Sequence, residues 1–321
     1  MIQEPVSMYL EFKDTITSKI EFLELRALAF QKVRSFFYHR DYVEVDTPSI
    51  VKSPAIDQHI DSFEVEKQYY LHTSPEYLMK RLLAQGMKKI FYLGHVFRID
   101  EVGSKHNPEF TMIEWYQVSL SMDDLINETL DLCKSFLGDK ITKYLSYREA
   151  FHTFLDIDPF TANKEDLKVC AKEKGLNFES DLNKDGWLQL LFSHLIEPCF
   201  ENDTYYVISQ YPKSQAALAK TEHINGFEVA NRFEIYYNKI ELANGYFELN
   251  NSQEQIKRFQ EENEKRISIG KKPYPLDNKF IQSINNLPEC SGVSVGFDRL
   301  LMLSYKKENI KDVLCFSFDE L

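Results

Sequence analysis

The chain has 321 residues, of which 43% are hydrophobic and 27% are charged, so it can bury the core of one large domain or two ordinary ones. Its 38 lysine and arginine residues stand against 50 aspartate and glutamate residues, which gives a formal net charge of -12. This charge balance disfavours non-specific binding to a nucleic acid backbone.

The sequence gives no indication of a membrane span, a disulfide framework or a zinc site. Its 5 cysteines include no C-x-x-C pair, so we expect reduced thiols. The first residues include acidic side chains and lack the apolar run of a signal peptide, and no later run is long enough to cross a bilayer. We therefore expect a cytoplasmic protein with no membrane partner.

The first predicted elements are a long helix, two short strands and a second helix. Apolar residues recur at helical spacing over residues 18–39, and short β-prone runs follow at 59–66 and 69–72. The second helix is expected to start with Ser74 as its N-cap and Pro75 at its first position.

A β-hairpin is predicted next. An apolar run at 90–97 leads to Arg98, a loop of mixed charges covers 99–108, and a second strand begins at Glu109. Period-two alternation puts four side chains of this second strand on one face: Phe110, Met112, Glu114 and Tyr116. For an arbitrary sequence, a half-buried ribbon with a solvated tip is the simpler interpretation.

The rest of the chain alternates between helical and β-prone segments. Residues 122–200 are expected to be mostly helical, strands follow at 205–211 and 227–249, and helices at 252–269 and 277–285. Hairpins separated by long helical insertions predict an α+β fold on an antiparallel sheet.

A final motif covers residues 291–302, SGVSVGFDRLLM. Asp298 is a plausible N-cap for a helix that carries Arg299 in its first turn. An arginine is unfavourable at that end of the helix dipole, so we expect Arg299 to bind an anion.

Together these segments resemble the signature motifs of class II aminoacyl-tRNA synthetases, specifically the lysyl branch. Five ordered matches carry the resemblance: residues 22–48, TSPE at 73–76, Phe97-Arg98 through HNPEFTMIEWY, ELANGYFELNN at 241–251, and GVSVGFDRLLM. A first motif that begins near residue 18 leaves no room for the anticodon-binding barrel of the lysyl enzymes. The chain therefore resembles the short paralogous group of elongation factor P β-lysine ligases.

The resemblance implies a fold and an activity. We expect residues 1–321 to form a single class II synthetase-like catalytic domain, α+β, with an antiparallel sheet flanked by helices and no anticodon-binding domain. The implied reaction activates (R)-β-lysine as an aminoacyl adenylate, with ATP and Mg²⁺, and transfers it to the ε-amino group of a lysine of elongation factor P. The implied protein is a homodimer that uses no tRNA, and Phe36, Phe37 and Tyr38 fit either its subunit interface or the monomer core.

Two alternatives stay open. A truncated lysyl-tRNA synthetase would activate α-lysine for tRNA or a small acceptor. A non-catalytic paralogue would act as a binding module, although retention of the motif arginines weighs against it.

The resemblance also assigns site residues. Catalytic roles fall to Arg98 and Arg299. The expected ATP-binding residues are Arg98, Ile99, Asp100, His106, Asn107, Phe110, Glu241, Leu242, Gly296 and Arg299. The expected substrate-binding residues are Ser74, Pro75, Glu76, Glu114, Tyr116 and Glu248, since carboxylates suit the two ammonium groups of a diamino acid.

Glu241 and Glu248 are the predicted Mg²⁺ ligands. Seven residues apart in a regular strand they would face opposite sides of the sheet, unless a bulge or turn at Asn244-Gly245 restores a common face. On spacing alone, two solvated strand carboxylates remain an alternative.

The chain departs from the lysyl enzymes at two places. Ser294 stands where their third motif has glycine, which would reshape the floor of the pocket. Ile99-Asp100 stands where Asn-Glu is usual, so a contact to the nucleotide could lengthen, use a water or pass to Glu101. The general base of the transfer step stays unassigned.

Overall fold

The computed structural model describes residues 18–99, 101–179 and 182–321. Within these residues, the nine α-helices are α1 (Lys19–Tyr38), α2 (Glu76–Ala84), α3 (Met122–Leu137), α4 (Tyr147–Leu155), α5 (Lys164–Glu173), α6 (Lys184–Leu191), α7 (Ser252–Ser268), α8 (Asn278–Ile284) and α9 (Phe297–Ser304). The twelve strands are β1 (Val43–Glu44), β2 (Ile50–Val51), β3 (Glu64–Val65), β4 (Tyr69–Leu71), β5 (Lys89–Phe97), β6 (Glu109–Val118), β7 (Ile141–Ser146), β8 (Thr204–Pro212), β9 (Thr221–Ile224), β10 (Phe227–Tyr237), β11 (Ile240–Phe247) and β12 (Cys290–Gly296).

A nine-stranded sheet organises the molecule, with the order β1-β5-β6-β12-β11-β10-β8-β7 and β9 paired to β10. The pairs β1/β5 and β7/β8 at the two ends are parallel, and the strands between them are antiparallel. The α+β prediction is confirmed, with the refinement that the sheet is mixed at its outer pairs. A second, three-stranded antiparallel sheet has the order β2-β4-β3.

Two hydrophobic cores lie on opposite faces of the large sheet. One packs α1, α3 and α9 against the sheet around Phe91 and Trp115, both fully buried. The other packs α4, α5 and α6 around Trp187 and Tyr206. Strand β8 contributes to both cores because successive side chains point to opposite faces.

Helix α1 matches its prediction closely. It begins after Ser18, whose Oγ accepts a hydrogen bond from the Glu21 amide at 3.2 Å, and it buries one stripe at helical spacing. Phe37 lies wholly in the core, stacked on Phe91 with ring centroids 4.6 Å apart. Tyr38 is 52% exposed, so of the aromatic trio it is Tyr38 that offers surface for a subunit contact.

Two helix starts differ from the predictions. Helix α2 starts at Glu76 with Pro75 as its N-cap residue, so the expected Ser74 cap is one residue too early, although Ser74 Oγ does accept from the Glu76 amide at 3.0 Å. Helix α9 has Gly296 as its N-cap residue. Asp298 lies inside the first turn and is buried, so the prediction that it caps the helix is wrong.

The middle of the chain is mostly helical, as predicted, but the exposed strand β7 was not foreseen there. The edge strand β9 was missed as well, because its alternating polar residues give little hydrophobic signal. All five cysteines are free thiols. No helix among the described residues is long and apolar enough to span a membrane.

Candidate active site

A cavity of about 160 Å³ opens between the β5–β6 hairpin, strand β11 and the start of α9. We call it the arginine cavity. Eight of the predicted ATP-binding residues line it: Arg98, His106, Asn107, Phe110, Glu241, Leu242, Gly296 and Arg299. Of the other two, Ile99 is 40% exposed and does not line it, and Asp100 lies outside the described residues.

A larger cavity, of about 580 Å³, lies beside β7, α4 and β10 and contains none of the predicted site residues. Its charged groups include the Arg148 guanidinium, which already pairs with Asp158 at 2.6 Å. We therefore place the candidate site at the smaller cavity, where several cationic groups converge.

Arg98 lies at the end of β5 with its guanidinium over the Phe110 ring, 5.1 Å from the centroid. Its Nη1 donates to Glu101 Oε1 at 3.2 Å, while its buried Nε has no hydrogen-bond partner. A buried donor without an acceptor is costly. The geometry thus leaves Arg98 with capacity to bind an anion in the cavity.

Arg299 is fixed from three sides at the start of α9. Its Nη1 donates to the Glu241 carbonyl at 3.0 Å, its Nε to the Lys105 carbonyl at 3.4 Å, and its Nη2 lies 2.5 Å from His106 Nε2. Burial and the positive charge of Arg299 lower the pKa of His106. A neutral His106 can accept the proton that Nη2 presents, so the histidine orients the arginine.

Asn107 connects the hairpin loop to the C-terminal segment. Its Nδ2 donates to the Glu109 carbonyl at 2.7 Å and its Oδ1 accepts from the Phe318 amide at 3.0 Å. The residue is 8% exposed. Both ends of the amide are therefore engaged by the backbone, and its predicted contact with the nucleotide stays a prediction.

Strand β11 contains a bulge of the kind expected between Glu241 and Glu248, but it lies at Leu242. Ala243 pairs with Ile235 and Glu241 pairs with Tyr236, so Leu242 is an extra residue and forms a bulge. Asn244 and Gly245 continue in regular pairing with β10 and β12. The expected bulge or turn at Asn244-Gly245 is therefore wrong.

Glu234 is a carboxylate that sequence reasoning missed. It lies on β10, where it accepts from Arg232 at 2.5 Å and from Tyr211 at 2.6 Å. Burial, and then repulsion from Glu234, raise the pKa of Glu241. A cation bound near Glu241 would relieve this repulsion, so the residues present fit a divalent ion.

The described residues contain no group of three or more His, Cys, Asp or Glu side chains arranged to hold a metal ion. Mg²⁺ that arrives with phosphates needs only one or two protein carboxylates. The predicted metal role of Glu241 is compatible with this arrangement. Glu248, the second predicted ligand, is engaged in a different cluster.

That cluster, which we call the acidic cluster, consists of Glu76, Glu114 and Glu248 with the lysine Lys80. Lys80 Nζ lies 2.6 Å from Glu76 Oε1 and 2.5 Å from Glu248 Oε2. All four residues are at most 9% exposed. Lys80 was not predicted, although its position four residues after Glu76 on a helix is a recognisable ion-pair spacing.

Glu114 is held by two hydroxyl groups. Ser74 Oγ donates to its Oε2 at 2.8 Å and Tyr116 Oη donates to its Oε1 at 2.7 Å. Burial raises the pKa of Glu114 to about 7 and that of Glu248 to about 8. The structure thus brings five predicted substrate residues together, while the sixth, Pro75, contributes the N-cap position of α2.

Strand β6 connects the arginine cavity to the acidic cluster. Phe110 and Met112 line the cavity, and two and four residues further on Glu114 and Tyr116 enter the cluster. The predicted common face of this strand is therefore confirmed. Ser294 pairs with Glu114 in the sheet and also lines the cavity, so it lies at the boundary of the two.

Because Ile99-Asp100 stands where Asn-Glu is usual, Glu101 was one of the residues expected to take over the contact with the nucleotide. Glu101 lines the arginine cavity and accepts from Arg98 Nη1 at 3.2 Å, and its contact with the nucleotide stays a prediction.

Comparison with known proteins gives a consistent result. The model of the family "tRNA synthetases class II (D, K and N)" matches residues 7–320. Proteins named "Elongation factor P--(R)-beta-lysine ligase" are similar over nearly their whole length. The one from Haemophilus ducreyi is 40% identical over 313 residues, which is 94% of this chain and 95% of the relative.

The corresponding protein of Hamiltonella defensa is 41% identical over 303 residues, 91% of this chain and 93% of the relative. That of Photorhabdus laumondii is 41% identical over 307 residues, with the same two coverages of 91% and 93%. The chain therefore belongs to the class II tRNA synthetase family of the D, K and N type, which it shares with the elongation factor P (R)-β-lysine ligases.

Proposed function

We propose that this protein is an ATP-dependent ligase that activates (R)-β-lysine as an aminoacyl adenylate and transfers it to the ε-amino group of a specific lysine of elongation factor P. The main support is strand β6, which runs past both the arginine cavity and the acidic cluster. One strand presents Phe110 to a cavity with two arginines and Glu114 to a buried acidic cluster. A nucleotide and a diamino acid would thus lie side by side. The relatives' shared name supplies the identity of the amino acid and of the acceptor protein.

The arginine cavity suits the first step, in which a carboxylate oxygen bonds to the α-phosphorus of ATP and pyrophosphate leaves. The barrier comes largely from bringing two anions together and from charge that develops on the phosphoryl oxygens. Arg98 would hold the α-phosphate and the carboxylate, and Arg299, oriented by His106, would hold the γ-phosphate. Preorganised donors of this kind need no reorganisation during the reaction.

Mg²⁺, held through Glu241 and the phosphates, would supply charge neutralisation of the leaving pyrophosphate. Phe110 and Arg299 would hold the adenine between them, with Leu242 and Gly296 at the walls of the cavity. The remaining predicted contacts of Ile99, Asp100 and Asn107 belong to the same proposal.

The acidic cluster suits the amino acid. A diamino acid brings two ammonium groups, and each needs charge pairing and hydrogen bonds once water is removed. Glu76, Glu114 and Glu248 supply carboxylates and Tyr116 supplies a phenol. In the second step the acceptor amine, after loss of a proton, bonds to the acyl carbon, AMP leaves and an amide results.

A net charge of -12 disfavours tRNA as a partner. We propose a cytoplasmic homodimer whose partner is elongation factor P, and the exposed Tyr38 at the end of α1 is available for the subunit contact.

Amino-acid-dependent exchange of pyrophosphate into ATP tests the first step. We expect (R)-β-lysine to support exchange better than α-lysine, and Arg98→Ala to lower it on the order of 100-fold or more. Arg34→Ala is the matched control, since Arg34 pairs with Glu44 on the surface and should leave exchange unchanged. Exchange supported by α-lysine alone would contradict the proposal in favour of a lysyl-tRNA synthetase-like enzyme.

A further inference from the structure

Lys80 is buried to an extent that is unusual for an ammonium group. It is 1% exposed and lies on α2 with its Nζ between Glu76 and Glu248, at 2.6 and 2.5 Å. Lysine is almost never fully buried unless it is paired. Burial acts to lower the pKa of Lys80, but the adjacent carboxylates Glu248 and Glu76 outweigh it and raise this pKa above its usual range, so the side chain stays charged.

Three segments of the chain place charged or titratable groups against Lys80. Glu76 comes from α2, Glu114 and Tyr116 come from β6, and Glu248 follows β11. The Tyr116 ring lies 5.8 Å from Lys80 Nζ. Burial opposes ionisation by raising the pKa of Glu114 to about 7 and that of Glu248 to about 8, whereas a bound cation favours it. When all three carboxylates are ionised, the acidic cluster has three negative charges and one positive charge, hence a net charge of -2. A ligand with two ammonium groups matches that charge.

The carboxylates keep free acceptor positions despite the lysine. Neither oxygen of Glu248 has a hydrogen bond of acceptable geometry, although Lys80 Nζ lies close to Oε2. Glu248 is 1% exposed, so water cannot readily satisfy these oxygens. The ion pair therefore fixes the position of Glu248 and leaves its lone pairs available to a further donor.

We propose that Lys80 is a positioning residue for the diamino acid: it holds Glu76 and Glu248 as a fixed pair of carboxylates and sets the net charge of the acidic cluster to match two ammonium groups. The inference rests on the proposed function in that the ligand is a diamino acid. Lys80 itself acts through the two carboxylates. Without it, three buried carboxylates would repel one another, and their orientation toward a ligand would be lost.

The test compares each diamino acid with its analogue that lacks the terminal amine. The pairs are (R)-β-lysine with (R)-3-aminohexanoate, and α-lysine with norleucine. Steady-state pyrophosphate exchange gives kcat and KM for each amino acid and KM for ATP. The variants are Lys80→Met, which removes the charge, and Lys80→Arg, which keeps it.

We expect Lys80→Met to lower the preference for the diamino acid over its analogue by about 10- to 100-fold, through KM for the diamino acid, because a charge-assisted contact of the terminal amine is weakened. Its KM for ATP should stay unchanged, and Lys80→Arg should retain most of the preference. Lys32→Met is the matched control, since Lys32 is a half-buried lysine of α1 that donates to the Ser135 carbonyl away from the cluster.

Two results would overturn the proposal. One is an unchanged preference in Lys80→Met. The other is an equal loss for the diamino acid and its analogue, which would indicate a purely structural ion pair. If Lys80→Met does not fold, as judged by thermal unfolding, Lys80→Gln is measured against the same criterion.

This experiment distinguishes failure of the role of Lys80 from failure of the proposed function. If α-lysine alone supports exchange, the (R)-β-lysine assignment fails and the lysine and norleucine pair decides the role of Lys80. If neither diamino acid supports exchange, both proposals fail.

Discussion

Substitution of Asp298 by asparagine separates two interpretations of the segment that leads into α9. If Asp298 were an N-cap, asparagine would replace it at almost no cost, because the two residues are about equally good caps. In the structure Asp298 is instead 1% exposed and is the counter-ion of Arg26, with Oδ1 2.5 Å from Nη1. Its Oδ2 also accepts from the Thr111 amide at 2.6 Å.

The magnitude follows from what Arg26 would lose. Arg26 is 7% exposed and lies 5.1 Å from the ring centroids of Phe30 and Phe297, which stack on each other. It also donates to Thr111 and to the Val313 carbonyl. Of the three groups that accept a hydrogen bond from Arg26, Asp298 is the one that carries a charge, and asparagine removes that charge. Breaking one partner of a buried ion pair typically costs about 3 to 5 kcal/mol. For a chain of this length that corresponds to a fall of about 4 to 8 °C in the unfolding midpoint.

Thermal unfolding, followed by circular dichroism at one scan rate, measures the effect. Asp277→Asn is the matched control, since Asp277 caps α8 by accepting from the Lys279 and Phe280 amides, and its midpoint should hardly change. The double variant Arg26→Met with Asp298→Asn should lose less than the sum of the single losses. A fall of less than about 1 °C in Asp298→Asn would refute the buried-pair argument.

Three further predictions follow from the site. Gly292→Ala should abolish amino acid activation while ATP still binds, because an added Cβ would lie 2.1 Å from ring atoms of Tyr116. Gly103→Ala is the control, since its added Cβ would have no neighbour within 4 Å, and equal exchange rates in the two variants would contradict the prediction. Affinity for the diamino acid, measured by calorimetry, should fall as the pH drops from 8 to 6, because burial raises the pKa of Glu114 to about 7 and that of Glu248 to about 8, and each loses on protonation the charge that attracts an ammonium group. Glu114→Gln should make this dependence shallower, and an unchanged slope would exclude Glu114 as one of its sources. Arg299→Lys should lower pyrophosphate exchange on the order of 100-fold, since an ammonium cannot reproduce the bonds that the planar guanidinium makes; activity near that of the wild type would refute this role.

Features that depend on local periodicity could be predicted from the sequence. The shared face of Phe110, Met112, Glu114 and Tyr116 follows from the two-residue repeat of a strand, and the structure confirms it. The first helix was predicted to within one residue for the same kind of reason. The hairpin strands at 90–97 and from Glu109 were placed correctly because they are long and apolar.

Features that depend on distant partners could not be predicted in the same way. Asp298 meets Arg26 across 272 positions, so its local context indicated only a helix cap. Glu248 meets Lys80 only once β11 and α2 are packed together. The bulge at Leu242 depends on how β10 and β11 pair, which no single segment encodes.

The central claim is tested most directly by the intact mass of elongation factor P after incubation with this protein, ATP, Mg²⁺ and either (R)-β-lysine or α-lysine. Aminoacylation of tRNA is followed in the same mixtures. We predict that the factor gains the mass of one β-lysyl residue, that replacing its acceptor lysine abolishes the gain, and that tRNA stays uncharged. An unmodified factor together with lysyl-tRNA would contradict the account.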